Sequence, residues 1–155
     1  MIPITFVKGD ATLPQVPGPT IIAHVCNDLG RWGKGFVMAI TSRWAEPEKA
    51  YREWSADPKS FRLGAVQYVQ VQTDVWIANM VGQHGLRSAG GKPPIRYAAA
   101  EECLAQVAEK AKELGASVHM PRIGCGLAGG KWETIEPLIV KTLCNHDLPV
   151  VVYDF

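Results

Sequence analysis

The chain has only four cysteines in 155 residues, Cys26, Cys103, Cys125 and Cys144. No two of them form a C-x-x-C pair, and none stands at a zinc-ligand spacing from a histidine, so neither a disulfide framework nor a zinc site is encoded. Cys26 and Arg31 fall one residue short of a phosphatase-loop spacing, and Cys125 has no arginine at the required place, which argues against covalent cysteine catalysis. Charge of one sign is also missing: 16 basic and 15 acidic residues leave a formal +1. A face that grips nucleic acid through many phosphates is therefore not expected. No apolar run approaches the roughly 18 residues of a membrane span. The segment Met1 to Lys8 lacks a basic stretch, a long apolar region and a small-residue cleavage site, so a soluble cytoplasmic protein is the expectation. A hydrophobic content of 47% in this length suits one domain over residues 1–155 around one substantial core.

Glycine, by contrast, is concentrated where chemistry can use it. Met120-Pro121-Arg122-Ile123-Gly124-Cys125-Gly126-Leu127-Ala128-Gly129-Gly130 joins a strand-like run, Ser117 to Met120, to a run with apolar residues at Trp132, Ile135, Leu138, Ile139 and Leu143, which is helical spacing. Without Cβ atoms such a loop brings backbone N–H groups against an anion, and the helix behind it adds its positive N-terminal end. Gly124, Gly126 and Gly129 satisfy the dinucleotide spacing G-x-G-x-x-G. The context is wrong for a nicotinamide enzyme, however, because that turn belongs after a first strand with a ribose-binding acid about 20 residues on. Here the motif follows the fifth strand candidate, and the nearest acid at that distance, Asp147, sits in the turn-like Asn145 to Pro149. A second cluster, Asn27-Asp28-Leu29-Gly30-Arg31-Trp32-Gly33-Lys34-Gly35, follows the strand-like Thr20 to Val25 and precedes another helical run. Two such junctions converge on one ligand when their strands share a sheet with carboxyl ends on one side.

Strands are expected over 4–8, 20–25, 65–72, 75–81, 117–121 and 150–154, and helices over 35–43, 46–54, 96–114 and 131–144. Their alternation argues for the α/β class. Only Thr73-Asp74 separate the third and fourth strands, which predicts a tight antiparallel hairpin and hence a mixed sheet. The helix over 96–114 shows one apolar stripe, Tyr97, Ala100, Leu104, Val107, Ala108, Ala111 and Leu114, with Gly115 placed to stop it. Residues 82–94, rich in glycine and proline, form the longest loop. They read equally as a substrate-contacting segment and as a flexible surface connection.

Taken together, Gly9-Asp10 after the first strand, Ala23-His24-Val25-Cys26-Asn27 leading into Gly33-Lys34-Gly35, and Met120 to Leu127 followed by Trp132-Glu133 resemble the macrodomains, modules that bind ADP-ribose. The resemblance runs from Ile4 to Phe155 and is strongest to the branch containing terminal ADP-ribose protein glycohydrolase and the yeast ADP-ribose phosphate phosphatase. It implies a three-layer α/β/α fold with a mixed sheet of about six strands. It implies further that the Asp10 carboxylate accepts the exocyclic amine of adenine with help from the Ala11 N–H, although an Asp there also caps turns. Tyr153 or Phe155 would pack against adenine, unless this end is core or frayed. Asn27 would face the distal ribose, an Asn-Asp pair being ordinary turn chemistry as well. Gly33, Gly35 and Phe36 would line the sugar and phosphate, and Arg122, Ile123, Gly124, Cys125, Gly126 and Leu127 would cradle the diphosphate.

Two departures bear on catalysis. The branch is thought to use a lysine that aligns with Gln83 or His84, and an aspartate that aligns with Ala128; both groups are absent. A bond from ribose to a protein carboxylate still breaks without strong acid help, because a carboxylate with a reference pKa near 4 is a good leaving group. His84 is the candidate for moving a proton, unless it is merely structural or solvated, Asp28 is the candidate for orienting water, and Asn27 for positioning the substrate. The expectation is a cofactor-free, metal-independent hydrolase acting on mono-ADP-ribosylated proteins at Glu and Asp, with ADP-ribose as ligand. A non-catalytic ADP-ribose reader and a phosphatase acting on ADP-ribose phosphorylated at the anomeric carbon are the alternatives.

Overall fold

The computed structural model describes all residues, 1–155. Six strands, β1 (Thr5–Lys8), β2 (Thr20–Asn27), β3 (Val66–Gln72), β4 (Val75–Gln83), β5 (Ser117–Pro121) and β6 (Val150–Asp154), form one sheet in the order β1-β6-β5-β2-β4-β3. All neighbours are parallel except β3 and β4, which form the hairpin anticipated at Thr73-Asp74. The helices are α1 (Phe36–Arg43), α2 (Glu46–Trp54), α3 (Tyr97–Leu114) and α4 (Trp132–Thr142).

Side chains alternate across a strand, and the central strands use both faces. Ile21, Ala23, Ala78, Met80, Val118, Met120, Val150 and Val152 bury one face against Leu104, Val107 and Ala111 of α3 and Ile135 and Ile139 of α4. Ile22, Cys26, Val75 and Ile77 bury the other against Ile40 of α1 and Tyr51 of α2. The result is three layers, helices on both sides of a mixed sheet. Gly115 ends α3 at φ 64°, with its N–H returned to the Ala111 and Lys112 carbonyls; only glycine adopts this left-handed turn without steric cost. In α2 the first turn carries Glu46, Pro47 and Glu48 and the last carries Arg52, the sense the helix dipole favours.

Two boundaries shape the site. Where the spacing predicts an end at Val25, β2 runs on to Asn27, and β4 continues from Val81 to Gln83. A register shift between Cys26 and Asn27 absorbs one extra residue and pairs Asn27 with Gln83. Both strands therefore deliver polar side chains at the carboxyl edge of the sheet, where the two glycine loops also begin.

Candidate active site

At that edge the two loops enclose a cavity of about 320 Å³, lined by the end of β2, residues 34–37, Gln83 and the segment from Pro121 to Ala128. A hollow of about 370 Å³ lies between Thr12–Pro14 and the C-terminal end of α1, but it includes neither glycine loop.

The glycines of the second loop divide by what a Cβ would meet. At Gly124, which sits at φ 70°, it would strike Ile95 at 2.8 Å; at Gly129, Pro93 at 2.9 Å; at Gly130, the Gly124 carbonyl at 2.5 Å. These three let the loop fold on itself and against the 93–95 segment. A Cβ at Gly126 or at Gly33 would meet nothing. Their open sides make them the positions where backbone can face a ligand. Across the mouth a Cβ at Gly35 would lie 3.6 Å from Leu127, so the loops nearly touch there. The N–H groups of residues 33 to 37, and those of Ile123, Gly124, Gly126, Leu127 and Ala128, donate to no acceptor within the chain. No acidic residue or side-chain cap occupies the start of α1. Two sets of free donors, one at a helix N-terminus, thus border one cavity; this is the electrostatics an anion such as a diphosphate requires.

The first loop is laced into place by Asn27. Its carbonyl oxygen Oδ1 accepts the N–H groups of Leu29 (3.0 Å) and Arg31 (3.1 Å), its Nδ2 donates to the Arg31 carbonyl (2.8 Å), and the Tyr51 hydroxyl donates to Asn27 from α2. Arg52 adds a bond to the Trp32 carbonyl at 3.2 Å. The carboxamide thus holds the loop, and one of its two Nδ2 N–H donors has no partner within the chain.

Beyond Asn27, the His84 Nδ1 lies 2.6 Å from Asp28 Oδ2, and the Gly85 N–H donates to Asp28 Oδ1 at 2.9 Å. Asp28 is largely covered and His84 mostly exposed. Nδ1 thus faces the carboxylate, which leaves Nε2 as the ring nitrogen with no partner in the chain. Asp28 and His84 thus form a pair, set at the rim and joined to the cavity through Gln83.

His24 is a wall residue that sequence reasoning passed over. Its Nε2 donates to Asn79 Oδ1 at 2.6 Å, the orientation of Asn79 being set by Nδ2 bonds to the Pro47 carbonyl and Gln67. Burial pushes the His24 pKa down to about 4, the Asn79 bond opposing it only in part, so the ring is neutral. Trp32 and Phe36 pack on its ring at 5.4 and 6.0 Å. Lys34, Val25, Val37, Gln83 and Ala128 also line the cavity.

Outside the residues that line the cavity, Asp10 Oδ1 accepts the Thr12 N–H and hydroxyl at 2.8 and 2.7 Å, and Arg43 stands 3.7 Å from Oδ2. Burial raises the Asp10 pKa, but the Thr12 bonds and Arg43 outweigh it and hold the carboxyl below its usual range. The Ala11 N–H donates to no acceptor within the chain, and Oδ2 carries only the Arg43 ion pair. The Tyr153 ring is core, packed with Ala11 and Val151, and its hydroxyl bonds the Gln15 N–H and His119. Phe155 is fully exposed and packs on nothing, so it does not wall a pocket in this structure. Arg122 reaches the cavity, yet its guanidinium is bonded to Asp154 at 2.6 and 3.2 Å and lies over the rings of Phe6 and Trp132. What it offers a ligand is backbone. Burial raises the Cys125 pKa against a smaller lowering by Arg122, and the thiol donates to the Ile123 carbonyl, so it is no thiolate nucleophile. No three His, Cys, Asp or Glu side chains converge as a metal set.

A scan against models of protein families found no match. Among solved structures, the chain is 55% identical to a macrodomain protein from Streptomyces coelicolor; each covers 99% of the other, with a TM-score of 0.88. The chain belongs to the macrodomain family. This macrodomain is also 35% identical, over 98% of its length, to mouse chromodomain-helicase-DNA-binding protein 1-like, of which it spans only 18%. It is 25% identical to the ADP-ribose 1''-phosphate phosphatase of Lodderomyces elongisporus, covering 99% of that protein. No helix of the macrodomain is long and apolar enough to cross a membrane.

Proposed function

We propose that this macrodomain binds ADP-ribose and hydrolyses its bond to Glu and Asp side chains of proteins. The observation that carries the reading is one cavity bordered by two sets of unpaired backbone N–H groups, with the Asp28–His84 pair at its rim. The diphosphate lies on the donors from Gly33 to Val37 and from Ile123 to Ala128. Asp10 Oδ2 and the Ala11 N–H read the adenine edge, which guanine would meet with a carbonyl against a carboxylate. Water attacks the anomeric carbon, with Nε2 of His84 taking its proton and Asp28 stabilising the imidazolium. The leaving carboxylate departs without a general acid, consistent with an alanine at position 128.

The test is release of ADP-ribose from a Glu-modified protein, run beside calorimetric titration with free ADP-ribose. Release with binding supports the hydrolase; binding without release makes the domain a reader, the reading Ala128 favours. Phosphate release from ADP-ribose 1''-phosphate would support the third reading, which the likeness to the Lodderomyces phosphatase supports. Turnover is expected to persist in EDTA after dialysis, since the chemistry assigned above uses only side chains, backbone and water; a loss restored by magnesium or zinc overturns that.

A further inference from the structure

The geometry points to Gln83 as the residue that seats the attacking water. This inference rests on the hydrolase reading and deepens it.

Gln83 ends β4 opposite Asn27, and the register shift beside that pair turns it to the cavity wall, while the next residue, His84, swings out to Asp28. One strand end thus supplies one group inside the cavity and one at its rim. The Gln83 Nε2 donates to the Gly85 carbonyl at 2.9 Å, which fixes which way the carboxamide faces. Oε1 is then the acceptor of that side chain with no partner in the chain. An amide oxygen accepts a water O–H and leaves a water lone pair directed away from itself.

The rest of the wall offers few rivals for this task. His24 is neutral and tied to Asn79, and the Arg122 guanidinium is held by Asp154. Pro121, Ile123, Leu127 and Ala128 bring no side-chain acceptor, and Lys34 only donates when charged. An amide nitrogen is not a nucleophile, so Gln83 commits the site to direct attack by water. The new C–O bond forms at the anomeric carbon as the bond to the acyl oxygen breaks. That electron pair leaves with the Glu or Asp carboxylate, and the water proton passes to His84 Nε2 and on to solvent.

The test uses the full chain, a Glu-linked ADP-ribosyl protein and two variants. Gln83→Leu, which keeps the bulk and removes the acceptor, is expected to lower kcat about 100-fold with ADP-ribose affinity within about 3-fold of wild type. Gln83→Glu keeps an acceptor oxygen whether or not it is ionised, so it should recover most of the rate that Gln83→Leu loses. In ¹⁸O-labelled water the released carboxylate should carry no label, and borohydride should trap no adduct on Lys34. Unchanged kcat in Gln83→Leu, no recovery of rate in Gln83→Glu, label in the carboxylate or a Lys34 adduct would each overturn the assignment while leaving an active wild type as a hydrolase. A wild type that binds ADP-ribose and releases none overturns the hydrolase reading itself, and this assignment with it.

Discussion

Asp28 and His84 stand 56 positions apart, and neither carries a motif that names the other. They meet because β2 and β4 are neighbours and both run past the core. His84→Ala and Asp28→Ala are each expected to lower turnover on the order of 100-fold or more, with ADP-ribose affinity changed only a few-fold. Single-turnover release and calorimetry on the same preparations check this; equal turnover removes the pair from the chemistry. Ala128 bears on which bonds can be broken. Glu- and Asp-linked ADP-ribose should be released, and Ser- or Arg-linked should not, because an alkoxide or a neutral guanidine needs a proton that no residue at position 128 supplies. Comparable release from serine and glutamate linkages would refute that. At this scale the sequence was a partial guide. His84 and Asp28 were identifiable as titratable residues beside glycine-rich loops. Tyr153 was ambiguous, because β6 is buried on both faces and shows no alternation to reveal which way its side chains point. His24 was silent because β2 is buried on both faces, and Gln83 stood out only as a position of the absent lysine; that it faces the cavity depends on a one-residue shift that leaves no mark in composition.

The elements themselves were more legible. Ser117–Pro121, Val150–Asp154 and Glu46–Trp54 have the bounds that periodicity and flanking turn residues indicate. The last helix falls short, ending at Thr142 rather than Cys144, because Cys144–His146 tightens into a 3₁₀ turn closed by Asp147 in the left-handed region at φ 58°. The second glycine loop yields a contrast within one motif. Gly130→Ala sets a Cβ 2.5 Å from the Gly124 carbonyl and should destabilise the fold. A Cβ at Gly126 meets no atom within 4 Å, so Gly126→Glu should leave the thermal midpoint nearly unchanged while abolishing ADP-ribose binding by filling the cradle with like charge. Thermal unfolding and calorimetry on the two variants check the pair of outcomes; a Gly126→Glu protein that binds normally would remove this loop from the phosphate site.

For the molecule as a whole, two buried histidines set an acid limit. Burial brings His24 and His119 down to about 4 in the folded state, from an unfolded value of 6.5. Between those values the unfolded chain binds protons that the folded chain refuses, so stability rises with pH there and falls as pH drops from about 6.5 towards 4. The slope approaches about 1.4 kcal/mol per pH unit for each histidine. Urea unfolding at pH 7, 5.5 and 4.5 should show it, and His24→Gln should flatten it; an equal midpoint at all three would contradict the buried, neutral state of both rings.

The lacing of Asn27 to Leu29, Arg31 and Tyr51 has a kinetic consequence. A loop already held by a buried tyrosine and its own asparagine has little freedom left to lose when a ligand arrives, so capture need not wait for the wall to assemble. Association should then be a single step whose observed rate rises linearly with ligand concentration, without the plateau that a slow closure imposes. Tyr51→Phe, which loosens the lacing from the far side of α2, should introduce such a plateau without touching a single group that faces the ligand.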